Sequence, residues 1–520
     1  MSQGHADANP AGAAGEPLLV SMRLMALAAI LAMAAIVAAA IILRFYDLAA
    51  NPGAGLYGDE ASEGLDALKM LHQPGFHPDW LVWFQDDGGR EALFAYVVAG
   101  AFHLFGETTL ILRGTAAAFG VAGVLAVGML GRRFGTWTGL VAAAWAAGSL
   151  WLICVSRDGM RNTIVPLFGA LALIALLRWA GRPGRGTAAL AGAATAVAAL
   201  YTYQPLKLLP VLVIVWVLWL RHVDRPRYED LRAGALPFAA AFLIAGAPML
   251  AVAVTNPSNY FGRATLVSAF NPAVVADSNP VIHVLRTLGM FGLVGDQNGR
   301  HDIAALPLLP LPLAAVAALG CARLWRMRRD AGHALILLSL PVFLVPPLVA
   351  TEGYSPHFLR VLGLAAPLAV TIGLGAAELV EWSRGHWGRW AGRLAVSCVA
   401  VGLAAVAVWS GVAYLSRSLA DRYDTFSFQV AAMGQYADDH PRSAVIIDDF
   451  SAIDIEFVYF HDQPAFFSPG TRIEHPGVYS TVSALNVNDL VAALGPAAAG
   501  RAEPVAWDPA GKPTVWAVSP

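Results

Sequence analysis

Residues Leu24 to Leu43 read LMALAAILAMAAIVAAAIIL, twenty residues without a charge. One helix needs about that length to cross the hydrocarbon core of a bilayer. Only Arg23 and a polar tail, Met1 to Met22, precede the run. Ala38-Ala39-Ala40 imitates a signal-peptidase site, but the run is long for a cleaved signal and reads as an uncleaved anchor.

The same pattern recurs at about 113–130, 138–155, 163–177, 187–203, 206–220, 234–254, 303–320, 334–350, 361–379 and 394–415, making eleven spans. Ala92 to Phe105 is too short and reads as a helix lying in the interface. The positive-inside rule supports that choice. With the N-terminus in the cytoplasm, eleven spans put Arg132, Arg133 and the dense cluster Arg323 to Arg329 inside. A twelfth span at Ala92–Phe105 would move that cluster outside.

Composition agrees. Hydrophobic residues make up 57% and charged residues 13%, against about 25% charged in soluble chains, and mean hydropathy is +0.58. These values exclude a soluble enzyme and a disordered chain. The 34 basic and 36 acidic residues give a net charge of -2, so no nucleic-acid partner is expected. Cys154, Cys321 and Cys398 fall in or beside apolar runs and provide no disulfide framework.

The expected fold is an all-α polytopic membrane protein. It has a cytoplasmic tail (1–22), a transmembrane domain (23–415) and a small extracytoplasmic α/β module (416–520). In the module, Val445-Ile446-Ile447, Phe457-Val458-Tyr459-Phe460 and Thr514 to Val518 read as strands, and Asn488 to Leu494 as helix. The long, chemically mixed loops face outward, so chemistry is expected there.

Five polar clusters occupy those outer segments. Gly58-Asp59-Glu60-Ala61-Ser62-Glu63 places carboxylates next to a membrane, where they mark sites. If a helix starts there, Asp59 is its natural N-cap. Asp86-Asp87-Gly88-Gly89-Arg90-Glu91 combines charge with backbone that admits close approach. Ser156-Arg157-Asp158-Gly159-Met160-Arg161-Asn162 has the arginines to hold a phosphate and also the composition of a solvated connector. Gly295-Asp296-Gln297-Asn298-Gly299-Arg300-His301-Asp302 looks like a cation loop but lacks the EF-hand spacing and closing Glu. In Glu352-Gly353-Tyr354-Ser355-Pro356-His357-Phe358-Leu359-Arg360, His357 and Arg360 share a face if helical, and Arg360 suits an anionic headgroup. No GxSxG, Walker A or HExxH arrangement is present.

The order of these clusters resembles the lipid-phosphate-sugar-dependent glycosyltransferases of the GT-C superfamily, above all the protein O-mannosyltransferase and aminoarabinose transferase group. It rests on Gly58-Asp59-Glu60-Ala61, Gly88-Gly89-Arg90-Glu91-Ala92-Leu93-Phe94, Leu112-Arg113-Gly114, Gly131-Arg132-Arg133-Phe134-Gly135, Tyr201-Thr202-Tyr203-Gln204-Pro205 and Pro356-His357-Phe358-Leu359-Arg360. The resemblance spans roughly 24–380. It implies a helical bundle with interfacial helices in the first outer loop and a polyprenyl-phosphate sugar donor. The sugar would pass to a glycan, lipid or protein acceptor on the periplasmic face of the inner membrane. By position, Asp59 becomes the general base with Glu60 beside it. Arg90, Arg161, His357 and Arg360 become the donor-phosphate contacts. Where relatives carry a second acid this chain has Asn162, and Asp158 lies one turn earlier as its substitute. Relatives differ in metal use, so a divalent metal stays open and no other cofactor is expected.

A transporter or flippase of a lipid-linked sugar would use the same groove without transfer. Such proteins tend to show paired halves and mid-membrane breaks, and the sequence shows no paired halves. A scaffold with a decayed site is the third reading, against which the Asp59-Glu60 pair counts.

Overall fold

The computed structural model describes residues 16–86, 89–269, 271, 279–351 and 353–520. Asp87 and Gly88 of the second cluster, Glu352 of the fifth and the tail before residue 16 lie outside the described residues. The helices that build the bundle are α1 (Glu16–Phe45), α2 (Gly58–His72), α3 (Leu93–Phe105), α4 (Thr109–Arg132), α5 (Thr136–Gly148), α6 (Leu150–Ser156), α7 (Val165–Gly181), α8 (Arg185–Leu200), α9 (Leu209–Val223), α10 (Ala235–Thr255), α11 (Leu311–Arg326), α12 (Ala331–Val349), α13 (Ala365–Trp387) and α14 (Arg389–Leu415).

Among the described residues, eight helices are long and apolar enough to cross a membrane, or nine if a bent pair counts as one span. The expected eleven are not reached on that measure, for two reasons. The run read as one span at 138–155 is α5 plus α6, bent by 60°. Two further expected spans are α8 and α11, at 16 residues each, short of the roughly 20 that a perpendicular crossing needs. The 13-residue α3 is shorter again, with Phe94, Ala95, Val98, Ala99 and Phe102 buried.

Small residues let helices meet closely, the usual device where lipid removes the hydrophobic drive to associate. A β-carbon on Gly320 would stand 1.9 Å from the Thr371 carbonyl oxygen, and one on Gly375 1.8 Å from that of Val316. Helices α11 and α13 therefore cross backbone against backbone. Polar groups inside the bundle are tied to carbonyls. Arg44, 1% exposed, donates to the carbonyls of Ala146 and Ala147 at 3.0 Å each.

After α14 the chain forms the small α/β module. Its strands are β3 (Ala444–Ile446), β4 (Ala465–Phe467), β5 (Val482–Ala484), β6 (Glu503–Trp507) and β7 (Pro513–Val518), numbered after a hairpin of β1 (Trp83–Phe84) and β2 (Arg90–Glu91) in the first outer loop. The sheet order is β4-β3-β5-β7-β6. β3 runs parallel to β4 and β5, and β7 antiparallel to β5 and β6. Helices α15 (Phe428–Asp438), α16 (Asp449–Val458) and α17 (Val487–Leu494) complete it. The expected strand at Phe457 to Phe460 is the end of α16 instead. The Asp448 side chain caps that helix by accepting from Ser451 N, and the position of Phe457 against α2 outweighs its strand propensity.

Candidate active site

Helix α2 organises one end of the bundle. It starts at Gly58 with Tyr57, not Asp59, at the N-cap, and Tyr57 makes no side-chain cap bond. Asp59 and Glu60 lie in the first turn, where the helix dipole favours negative charge. Glu60, Glu63 and Asp66 follow at three-residue spacing, so they share one face. Each meets an arginine from a different segment. Arg113 of α4 donates from Nε to Glu60 Oε1 at 2.6 Å and from Nη2 to Oε2 at 2.9 Å. Arg161 Nη1 lies 2.5 Å from Glu63 Oε1. Arg90 of β2 reaches Asp66 at 2.9 Å and donates to Ser62 Oγ at 2.6 Å. All six side chains are buried.

The helical period turns Asp59 roughly 100° away from Glu60, into a cavity of about 490 Å³. Asp59 keeps 19% of its side chain exposed and faces Arg300 Nη1 at 3.9 Å. The polar wall includes Lys207, Arg263, Arg300, His301, His357 and Arg360, and the apolar wall includes Leu208, Val267, Val345, Val349 and Leu359. Arg300 is held with its guanidinium carbon 3.4 Å from the Tyr57 ring centroid. Lys207 reaches Glu91 at 3.2 Å and lies over the Tyr260 ring at 4.6 Å. Arg360 donates to the Ala350 carbonyl at 2.8 Å. Burial, with Arg300 beside His301 and His301 beside His357, holds both imidazoles well below their usual pKa, so they are neutral.

Of the residues singled out from sequence, the structure brings Asp59, His357 and Arg360 to the cavity. His357 and Arg360 do so from a turn in which Arg360 N donates to the His357 carbonyl at 3.1 Å, not from a helical face. Glu60, Asp158, Arg90 and Arg161 do not line it. Glu60 is fully buried and saturated by Arg113 and by Gly159 N at 3.0 Å. Arg161 is shared between Glu63 and Glu91, the latter at 3.4 Å. Arg90 borders a separate small cavity beside α2. Asp158 is 3% exposed with Oδ1 lacking a partner. Burial, and then the Glu60 carboxylate, push it up to about 8.

Lys207, Arg263, Arg300, His301, Tyr57, Tyr203 and Tyr354 line the cavity without having been assigned a role from sequence. A signal existed for some of them. Arg300-His301 sits in the stretch read as a cation loop, and Lys207 lies two residues after Tyr203-Gln204-Pro205.

The C-terminal module closes over α2. The Phe450 ring lies where a β-carbon on Gly58 would stand, 2.6 Å away, and the Phe457 ring does the same at Gly64, at 2.4 Å. Tyr57 meets Phe450 edge-on at 5.4 Å. Asp454 of α16 is 4% exposed with an unpartnered Oδ1. Burial, and then Glu60, push it up to about 8.

No family model matches the sequence, and no curated protein does. Solved structures do match. The crystal structure of ArnT from Cupriavidus metallidurans bound to undecaprenyl phosphate aligns at TM-score 0.60 and 16% identity, over 93% of this chain and 97% of that one. ArnT in the apo state gives TM-score 0.58 at the same identity and coverage. The cryo-EM structure of the arabinofuranosyltransferase AftD from Mycobacteria overlaps less, at TM-score 0.42 and 15% identity over 87% of this chain and 35% of that one. The chain thus has the fold of ArnT.

Proposed function

We propose that this GT-C-fold chain is an integral-membrane glycosyltransferase that moves a sugar from a polyprenyl-phosphate donor to an acceptor on the outer face of the cytoplasmic membrane. The N-terminus lies in the cytoplasm and the C-terminal module in the periplasm. The observation that carries the reading is one cavity that, among the described residues, is lined by a single carboxylate, Asp59, together with Lys207, Arg300 and Arg360 and an apolar wall. The ArnT fold, whose solved structure is bound to undecaprenyl phosphate, supports the choice of ligand.

The chemistry follows from the charges. An acceptor hydroxyl must lose its proton as its oxygen attacks the anomeric carbon. Asp59 takes that proton, a contribution of about 10²- to 10⁴-fold for a positioned base. The bond from the anomeric carbon to the phosphate oxygen breaks, and polyprenyl phosphate leaves as an anion. It needs fixed cations more than a protonating acid, and Lys207, Arg300 and Arg360 provide them without reorganisation. The polyprenyl chain runs along Leu208, Val267, Val345 and Val349. Glu60, Glu63 and Asp66 act by placement, holding α2 so that Asp59 faces the cavity. Asp158 acts with them beside Glu60 and not on the substrate.

The test uses purified protein in lipid with a panel of polyprenyl-phosphate sugars and an envelope extract, following release of polyprenyl phosphate. Wild type releases it and Asp59→Asn loses the release while still binding donor. Binding by both with release by neither, across the panel, would favour a transporter over a transferase.

A further inference from the structure

We propose that Asp296, His301 and His357 bind one divalent transition-metal ion of the zinc class on the wall of the cavity. The inference rests on ligand geometry and is independent of the transferase reading. One donor atom from each residue lies within 4.8 Å of the other two. Asp296 Oδ2 and His301 Nδ1 are 3.1 Å apart, close to the roughly 3.3 Å separating two ligand atoms at about 2.0 Å from a tetrahedral ion. The His301 and His357 ring centroids are 5.0 Å apart.

The second observation is the unmet polar capacity. His301 is 1% exposed, and the His357 Nδ1 is buried with no hydrogen-bond partner. An orphaned imidazole nitrogen is costly in a finished core, and a cation bound at it satisfies it. Asp296 is already oriented for the task. Asn298 N donates to its Oδ1 at 2.8 Å and Phe358 N to its Oδ2 at 2.6 Å, the outer-shell support that metal-binding carboxylates use.

Two imidazoles and one carboxylate form a zinc-type donor set that leaves a coordination position open. His301 and His357 both line the cavity, so that position falls to water or to a phosphate oxygen. Arg300 faces Asp59 at 3.9 Å, and Arg360, hydrogen-bonded to the neutral Ala350 carbonyl, keeps its charge, so of the three ligands the Asp296 carboxylate is the one that offsets the ion's charge. The ion also clamps the loop carrying Asp296 and His301 to the turn carrying His357.

A competing set sits on the surface. His72 and His461 lie 2.6 Å and 3.3 Å from the Glu107 carboxylate, all three exposed. The experiment therefore uses full-length protein carrying His72→Ala and His461→Ala. It is stripped with chelator, loaded with Zn2+ or Co2+, and read by metal content per chain and by cobalt absorption. One ion per chain with an imidazole-containing cobalt spectrum is expected. Adding His301→Ala or His357→Ala should weaken binding by about 100-fold or more. His301→Gln and His357→Gln, closer in shape, should do the same while the apo protein keeps its elution profile and melting temperature. No ion retained by the surface-silenced protein would overturn the proposal. Equal retention after His301 and His357 are replaced would overturn it too.

Discussion

Asp59 and Glu60 are adjacent in sequence, yet the structure gives them opposite surroundings, and Glu60→Gln separates the roles proposed for the two. The substitution keeps the shape of the side chain and an oxygen for Gly159 N, and it removes the charge that Arg113 pairs with. Arg113 cannot follow it to water. Its Nη1 donates to the Gly53 carbonyl at 2.6 Å and its Nη2 also to that of Gly55 at 2.7 Å, and its side chain is 1% exposed. Breaking one partner of a buried pair costs about 3–5 kcal/mol. Asp59 is 19% exposed and its nearest cation is 3.9 Å away, so solvent screening keeps its stability contribution to about 0–1 kcal/mol. Unfolding in detergent should therefore show Glu60→Gln destabilised by several kcal/mol and Asp59→Asn close to wild type. Donor release should rank them the other way, with Asp59→Asn down about 10²- to 10⁴-fold and folded Glu60→Gln partly active. A stable, inactive Glu60→Gln beside an active Asp59→Asn would refute this assignment and make Glu60 the base.

Four more outcomes are expected. Asp158 and Asp454 are carboxyls with folded pKa values pushed up to about 8 from the ordinary carboxylate range near 4. The folded state thus binds more protons than the unfolded one between about pH 4 and 8, and stability falls as pH rises through that window. Melting temperature should drop from pH 6 to pH 8.5, and Asp158→Asn with Asp454→Asn should flatten the slope. Arg300→Gln should weaken donor binding about 10- to 100-fold, the range for losing a charged hydrogen bond. Arg90→Gln should lower stability and leave donor affinity unchanged, as equilibrium binding of a polyprenyl-phosphate sugar would reveal. Gly375→Val puts methyl groups onto the Val316 carbonyl and should cost about 1–3 kcal/mol or more from overpacking, read as a lower melting temperature of the purified protein.

Most of the long apolar helices were legible because a run of apolar residues is a local signal, and the acid just past the first, Asp59, is one that lines the cavity. The bend between α5 and α6 was not legible, because hydropathy averages across it. The arginines were the hardest to read. Arg90, Arg161 and Arg360 look alike in sequence, yet two are neutralised by carboxylates and one lines the cavity. What decides between them is pairing across 53 residues for Glu60 with Arg113 and 98 for Glu63 with Arg161, which no window contains. The three-residue spacing of Glu60, Glu63 and Asp66 was readable in principle as one charged helix face. Nothing in the sequence alone shows that this face is buried. In the C-terminal module, Ala444–Ile446, Val487–Leu494 and Pro513–Val518 match the expected elements. Phe457 to Phe460 fails because an aromatic run that packs on a glycine of another helix loses the alternation that defines a strand.

The carboxylates of α2 also set an order of events during synthesis. The helix emerges directly after the first membrane anchor, with its acids unpaired. Arg90 and Arg113 arrive within the next stretch of chain, and Arg161 only after α4, α5 and α6 have formed. The aromatic lid of Phe450 and Phe457 comes last, once the final span has been inserted. The cavity that Asp59 faces is lined by residues up to Arg360, so its walls are complete before the lid is made. A chain ending before residue 449 has every membrane helix and that lining, while Gly58 and Gly64 of α2 lack the rings that cover them.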